Sequence, residues 1–263
     1  MPTRFVDTHC HLNAPEFTDD WPEVLARAVD LGMAAAIVVA YDQLSAERAL
    51  ALAAEHPERL CASVGIHPDA VAEWQASENW VRGIARSGAV VAVGEVGLDR
   101  ARGQLLDSQL PVFEAQLAIA EACQLPLIVH CRDAWVELLE VIERWEGRVS
   151  GVLHCFTGSV DDARRATNAG WYLGFGGIVT YPKAENVRAA AAAAPAAHIL
   201  LETDAPWLAP VPNRGKRNEP AYIPAVAAAL AELRNEPLEQ LYHSTTANAA
   251  ACFPAAARIM SSA

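Results

Sequence analysis

The chain has 263 residues, of which 52% are hydrophobic and 20% charged, with a formal net charge of −12. Such a composition excludes intrinsic disorder and leaves ample apolar material for a core. It also excludes a global basic field that would gather nucleic acid, so any polyanion must be held by local charge.

Short apolar runs alternate with helical patterns along the chain. The predicted strands, in order, are Arg4–His9, Ala35–Val39, Cys61–Ile66, Val90–Val93, Leu127–His130, Gly151–His154, Trp171–Phe175 and Ile199–Glu202. Most are continuously apolar, as parallel strands buried on both faces should be. The clearest predicted helices are Trp21–Leu31, Ser45–His56, Ser108–Cys123, Ala134–Trp145, Asp161–Ala169 and Ala184–Ala194, with Tyr222–Arg234 and Pro237–Ala251 closing the chain. Pro57, Gly88, Gly147 and Gly170 stand where helices should stop. Eight strands with intervening helices in about 250 residues match the arithmetic of a (β/α)8 TIM barrel. The expectation is one domain over residues 1–263. The run Gly174-Phe175-Gly176-Gly177 lacks the spacing of a dinucleotide fingerprint, which argues against an open nucleotide-binding sheet.

The six cysteines, Cys10, Cys61, Cys123, Cys131, Cys155 and Cys252, form no C-x-x-C pair. They read as packing thiols in a reducing compartment. No apolar run reaches the roughly 20 residues of a membrane helix, and the opening MPTRFVDTHCH has no apolar signal segment. A cytoplasmic protein is expected, with no membrane and no obligatory protein partner.

The polar residues carry the chemistry. Side chains at i, i+2 and i+4 of a strand share one face, so Asp7, His9 and His11 project together from the first strand. That pair of imidazoles is a metal seat of moderate specificity on its own. Glu95, His130, His154 and Asp204 then fall at or just after the carboxyl ends of the fourth, fifth, sixth and eighth strands, where barrel enzymes keep their active sites. A structural role for all six would bury many ionisable groups without partners, which is costly. Four imidazoles and two carboxylates suit two divalent ions, with zinc, manganese and magnesium the metals to be weighed. Some related barrels bridge their ions with a carboxylated lysine. Here the only lysines, Lys183 and Lys216, lie far from the fourth strand, so Glu95 is expected to be the bridge. Two dications less two carboxylates leave about +2 at the barrel floor, enough to hold a phosphate on an acidic protein.

The motifs FVDTHCHL at Phe5–Leu12, GIHP at Gly65–Pro68, GEVGLD at Gly94–Asp99, PLIVHCRDAW at Pro126–Trp135, LHCFTGS at Leu153–Ser159 and LLETDAPWLAP at Leu200–Pro210, followed by RGKRNEP at Arg214–Pro220, run along nearly the whole chain. In this order they resemble the TatD-like metal-dependent hydrolases of the amidohydrolase superfamily. The resemblance implies a TIM-barrel deoxyribonuclease that releases nucleotides from the 3′ ends of single strands. It also implies that His9, His11, Glu95 and Asp204 hold one metal, and Glu95, His130 and His154 the other. The D-x-H-x-H element, absent from the founding branch, makes the chain look more like other bacterial branches. Arg100-Ala101-Arg102 stand where the family usually has aromatic residues.

Asp204 is also the expected proton acceptor for metal-activated water, because a metal lowers the pKa of water from 15.7 towards about 7. His67 and Arg132 are read as substrate contacts. The alternative for His67 is a capping role, and for Arg132 a salt bridge to Glu202 or Asp99. Asp7, Asp99 and Glu202 are expected to orient histidine N–H groups. Arg214, with Lys216 and Arg217, forms a basic patch in the Pro-rich loop after strand eight that is expected to meet phosphate. Trp135, Trp207 and Tyr181 are the candidates for stacking on bases. The leading function is therefore a metal-dependent phosphodiesterase on single-stranded nucleic-acid ends. The rivals are a hydrolase of small esters, amides or D-aminoacyl-tRNA, and a barrel that binds metal without catalysis.

Overall fold

The computed structural model describes residues 4–102 and 105–261; Met1–Thr3, Gly103–Gln104 and Ser262–Ala263 lie outside it. Eight strands lie parallel in chain order: β1 Phe5–Cys10, β2 Met33–Val38, β3 Leu60–Val64, β4 Ala92–Asp99, β5 Leu127–Arg132, β6 Gly151–Leu153, β7 Tyr172–Phe175 and β8 Ile199–Leu201. The sheet closes on itself. His11 N–H donates to the Ala205 carbonyl at 2.7 Å and Asp204 N–H to the His9 carbonyl at 2.9 Å, bringing the end of β1 against the segment after β8. The expected (β/α)8 barrel is the fold.

The helices are α1 Trp21–Asp30, α2 Gln43–Glu55, α3 Trp74–Arg86, α4 Leu106–Cys123, α5 Trp135–Arg144, α6 Val160–Asn168, α7 Glu185–Ala193, α8 Ile223–Arg234, α9 Leu238–Cys252 and α10 Ala257–Ser261. Local capping explains several starts. Asp42 accepts from Ser45 N–H while Ser45 bonds back to Asp42 N–H, and Ser159 and Asp162 do the same for α6. Two helices were absent from the sequence reading. In α3, Ser77, Val81 and Ala85 are buried, and Trp74, Trp80 and Ile84 pack against the core beside them, an amphipathic pattern that the sequence does carry. The short α10 lies at the floor of the barrel.

That floor decides where chemistry can sit. Ile37, Ala92, Ile128, Val152 and Leu200, from five strands, cluster with Phe253, Ala256 and Met260 of the C-terminal segment. This apolar layer plugs the barrel interior. His130, His154 and Glu202 each follow one of those inward residues by two, so they share its face and stand one layer higher, towards the strands' carboxyl ends.

Two boundaries differ from expectation. Glu95 does not end its strand, because β4 continues to Asp99. Gly94 and Gly97 made the run look broken after Val93, yet Gly97 is required there. Its φ is +135°, and a Cβ would lie 2.0 Å from the His130 carbonyl oxygen, so only glycine lets β4 approach β5 this closely. His67 lies three residues beyond β3 and caps the turn Pro68–Glu73, its Nδ1 accepting from Asp69 N–H at 3.1 Å.

Candidate metal centre

The six expected ligands converge at the barrel mouth. His9 Nε2 and His11 Nε2 approach to 2.9 Å. Asp204 Oδ1 stands 3.7 Å from the first and 3.5 Å from the second, and Glu95 Oε2 stands 3.6 Å from each. The other Glu95 oxygen, Oε1, faces a second group: His154 Nε2 at 2.8 Å, His130 Nδ1 at 3.0 Å and His67 Nε2 at 3.6 Å. The Glu95 carboxylate thus divides its two oxygens between two sets of imidazoles. Asp204 owes its position to a left-handed backbone (φ 58°), a conformation that aspartate tolerates better than most residues.

The donor set fits divalent cations. His11 Nδ1 faces the Val39 carbonyl at 2.9 Å, which fixes the proton there and turns a bare Nε2 towards His9. Two ring nitrogens converging with two carboxylate oxygens make one natural cation position. Among the described residues, the groups able to hold a metal are His9–His11–Glu95, His67–Glu95–His130 and His9–His154–Glu202. Buried polar atoms left without a hydrogen-bond partner cluster here too: His9 Nδ1, His154 Nδ1 and Glu202 Oε2. These ring atoms lie opposite the Nε2 atoms that face Glu95, and Glu202 Oε1 stands 3.7 Å from His154 Nδ1.

Electrostatics without metal agree. Burial opposes charge on Glu95, yet His154, His67 and the hydrogen bonds from His130 and His154 hold its carboxyl well below the usual range. Burial likewise opposes charge on His154, but Glu95 and Glu202 raise it well above an ordinary histidine. His67 is different: burial dominates and lowers it to about 4, so it is neutral at physiological pH.

The supporting carboxylates divide by geometry. Asp99 Oδ2 meets His130 Nε2 at 3.1 Å and so orients that ring. Asp7 reaches no imidazole. It accepts the backbone N–H of His9 at 3.2 Å, that of Thr203 at 3.0 Å and the Thr203 hydroxyl at 2.6 Å, and burial raises its carboxyl to about 8. It pins β1 to the segment carrying Asp204. Glu202 accepts the Cys155 N–H at 2.5 Å and lies 3.7 Å from His154 Nδ1. Its room depends on Gly174, where a Cβ would sit 2.1 Å from Glu202 Oε2. Gly174→Ala is therefore expected to destabilise by about 2 kcal/mol through overpacking, a loss of roughly 4–8 °C in Tm. Thermal unfolding of the metal-free variant checks this, and an unchanged Tm would contradict it.

The basic residues are sorted by their partners. Arg217 is committed elsewhere: it pairs with Asp20 at 2.5 Å and lies over the Phe17 ring. Arg100 pairs with Glu137. Arg132 is exposed and reaches neither Glu202 nor Asp99. Arg214 lies over the Tyr181 ring, 4.5 Å from its centroid. Of the aromatic candidates, Trp135 packs on Phe156 with centroids 4.6 Å apart, whereas Trp207 is 44% exposed and its ring meets His11 edge-on at 5.0 Å. Trp207 is therefore the one available at the rim.

Two residues of this region escaped the sequence reading, Thr203 and Asn218. Buried Asn218 donates to the Thr203 carbonyl at 2.8 Å and the Trp207 carbonyl at 2.7 Å, tying the loop that carries Asp204. Both lie inside the motifs LLETDAPWLAP and RGKRNEP, which is the signal the sequence carries for them.

The family described as "TatD related DNase" matches residues 6–254. An uncharacterized metal-dependent hydrolase, YabD of Bacillus subtilis, is 38% identical over 250 residues, covering 94% of this chain and 98% of that protein. The 3′-5′ ssDNA/RNA exonuclease TatD of Erwinia amylovora is 33% identical over 255 residues, with 94% and 98% covered. Among solved structures, the TatD homolog YjjV of Escherichia coli superposes with a TM-score of 0.89 at 35% identity, over 97% of this chain and 99% of that one.

Proposed function

The chain belongs to the TatD-related DNase family of metal-dependent hydrolases, and on that premise we propose that it is a two-metal phosphodiesterase acting on the ends of single-stranded nucleic acid. The observation that carries this reading is the Glu95 carboxylate, with one oxygen turned to His9 and His11 and the other to His130 and His154. In this reading His9, His11, Glu95 and Asp204 hold one ion. Glu95, His130 and His154 hold the other, and zinc, manganese and magnesium all suit the ligands.

When bound, the ions supply the positive charge that makes water acidic near neutral pH and neutralises the phosphate. The remaining work is done by the chain. Asp204 lies within 3.7 Å of both first-strand imidazoles. Burial opposes its charge, but a hydrogen bond from His11 and the charge of His9 keep its carboxyl below the ordinary value, so it is ionised and able to take the proton of the attacking water. His130 is held in register by Asp99, and Asp7 fixes the segment on which Asp204 stands. His67, Arg132 and Arg214 contact the substrate, and exposed Trp207 offers a ring to a terminal base. The nuclease names of relatives support this choice of substrate.

Metal-reconstituted protein assayed in parallel on single-stranded DNA, RNA, a phosphodiester reporter and D-aminoacyl-tRNA tests the reading. Progressive shortening of single strands, lost on chelation, is the expected result. Hydrolysis confined to the aminoacyl ester would replace the nuclease reading with a deacylase.

A further inference from the structure

The loops after β6, β7 and β8 enclose a cleft of about 280 Å³ whose lining includes Thr157, Tyr181, Lys183, Asn186 and Arg214. Its lining comes from the same loops as the candidate metal centre: Thr157 follows His154 by three residues, and Arg214 lies on the same loop as Asp204. The Tyr181 phenol, raised chiefly by burial and lowered in part by Arg214, also senses the Asp204 charge.

The cleft is built and cationic. The Tyr181 hydroxyl donates to the Ala209 carbonyl at 3.0 Å, so the ring cannot swing away. Arg214 rests on that ring, an arrangement that holds the guanidinium flat and leaves its donor fork for an anion. Asn186 donates to the Thr157 carbonyl at 3.0 Å, joining the start of α7 to the loop after β6. Among the described residues, nine of the eighteen arginines pair with carboxylates, including Arg27, Arg82, Arg148, Arg165 and Arg234. Among the described residues, neither Lys183 nor Arg214 has an acidic partner, although both line one small cleft. Two unneutralised cations brought together repel each other, and a bound anion relieves that repulsion.

We propose that this cleft is a second nucleotide subsite, in which Lys183 and Arg214 grip the phosphate next to the one being cleaved. The inference rests on the nuclease reading and adds substrate length to it. The volume suits one sugar–phosphate unit, being at the lower edge of the ~300–1,000 Å³ typical of small-molecule pockets. Because a flexible single strand can bend its next phosphate sideways into a cleft at the mouth and a rigid duplex cannot, the same feature favours single strands.

The test compares kcat/KM on a thymidine dinucleotide, which has one phosphodiester, with that on a tetranucleotide, using metal-loaded protein. Wild type is expected to gain at least tenfold with length, through KM. Lys183→Ala and the double variant Lys183→Ala/Arg214→Ala should cut that gain below threefold. Lys183→Arg should keep it, and the salt slope of tetranucleotide binding should fall by about one for each cation removed. Both side chains are exposed, so the variants should fold. A length gain that survives in the double variant, or none in wild type, overturns the subsite while nucleic-acid cleavage stands. Wild type that cleaves neither oligonucleotide nor RNA overturns the nuclease reading and the subsite with it.

Discussion

Glu95→Gln is expected to lower kcat by about 10³-fold or more and to cost the protein at least one of the two metals proposed for it. The substitution keeps shape and removes one negative charge. That charge now stands between His154 Nε2 at 2.8 Å, His130 Nδ1 at 3.0 Å and the His9–His11 pair at 3.6 Å. An amide offers only one acceptor atom and cannot serve both sides. Dications held on the two sides of Glu95 would then lose the anion that screens them, and with it the several kcal/mol that metal charge would contribute to a phosphoryl transition state; each 1.36 kcal/mol is a factor of ten. Metal analysis alongside kinetics reads both effects. A variant with full metal content and kcat within tenfold of wild type would show that Glu95 is no bridge.

Asp204→Asn is the second large effect. Loss of a general base costs about 10²–10⁴-fold in rate. Unlike Glu95, Asp204 touches only one side of the centre, standing near His9 and His11. An ion bound at His130 and His154 should therefore remain. Activity above about a tenth of wild type would remove Asp204 as both base and ligand.

How legible was this in the sequence? The barrel was read from apolar runs, and those survive because each strand is buried on both faces and carries no amphipathic ambiguity. The convergence of His9, His11, Glu95, His130, His154 and Asp204 was legible because a strand's carboxyl end is the one place where polar side chains can enter a barrel from the solvent side. What failed was of two kinds. Gly94 and Gly97 masked the length of β4, because glycine marks close approach as readily as a break. Partner choice across long separations was invisible: Arg217 looked like phosphate-binding charge until Asp20, 197 residues away, was found holding it. Asp7 was expected at a ring nitrogen and instead holds backbone from two segments. In the same way Lys183 and Arg214, 31 positions apart, share a cleft only because the loops after β7 and β8 meet. Periodicity reports burial, not which side chain waits on the neighbouring loop.

The central claim is that two divalent ions, held on either side of Glu95, are what make the barrel a hydrolase. Its most direct measurement titrates chelator-stripped protein with manganese or zinc while following bound metal per chain and nucleotide release from single-stranded DNA together. The expected result is no release from stripped protein, uptake of two ions, and activity that develops as the second site fills. Undiminished cleavage by protein free of metal, or saturation of activity without metal uptake, would contradict it.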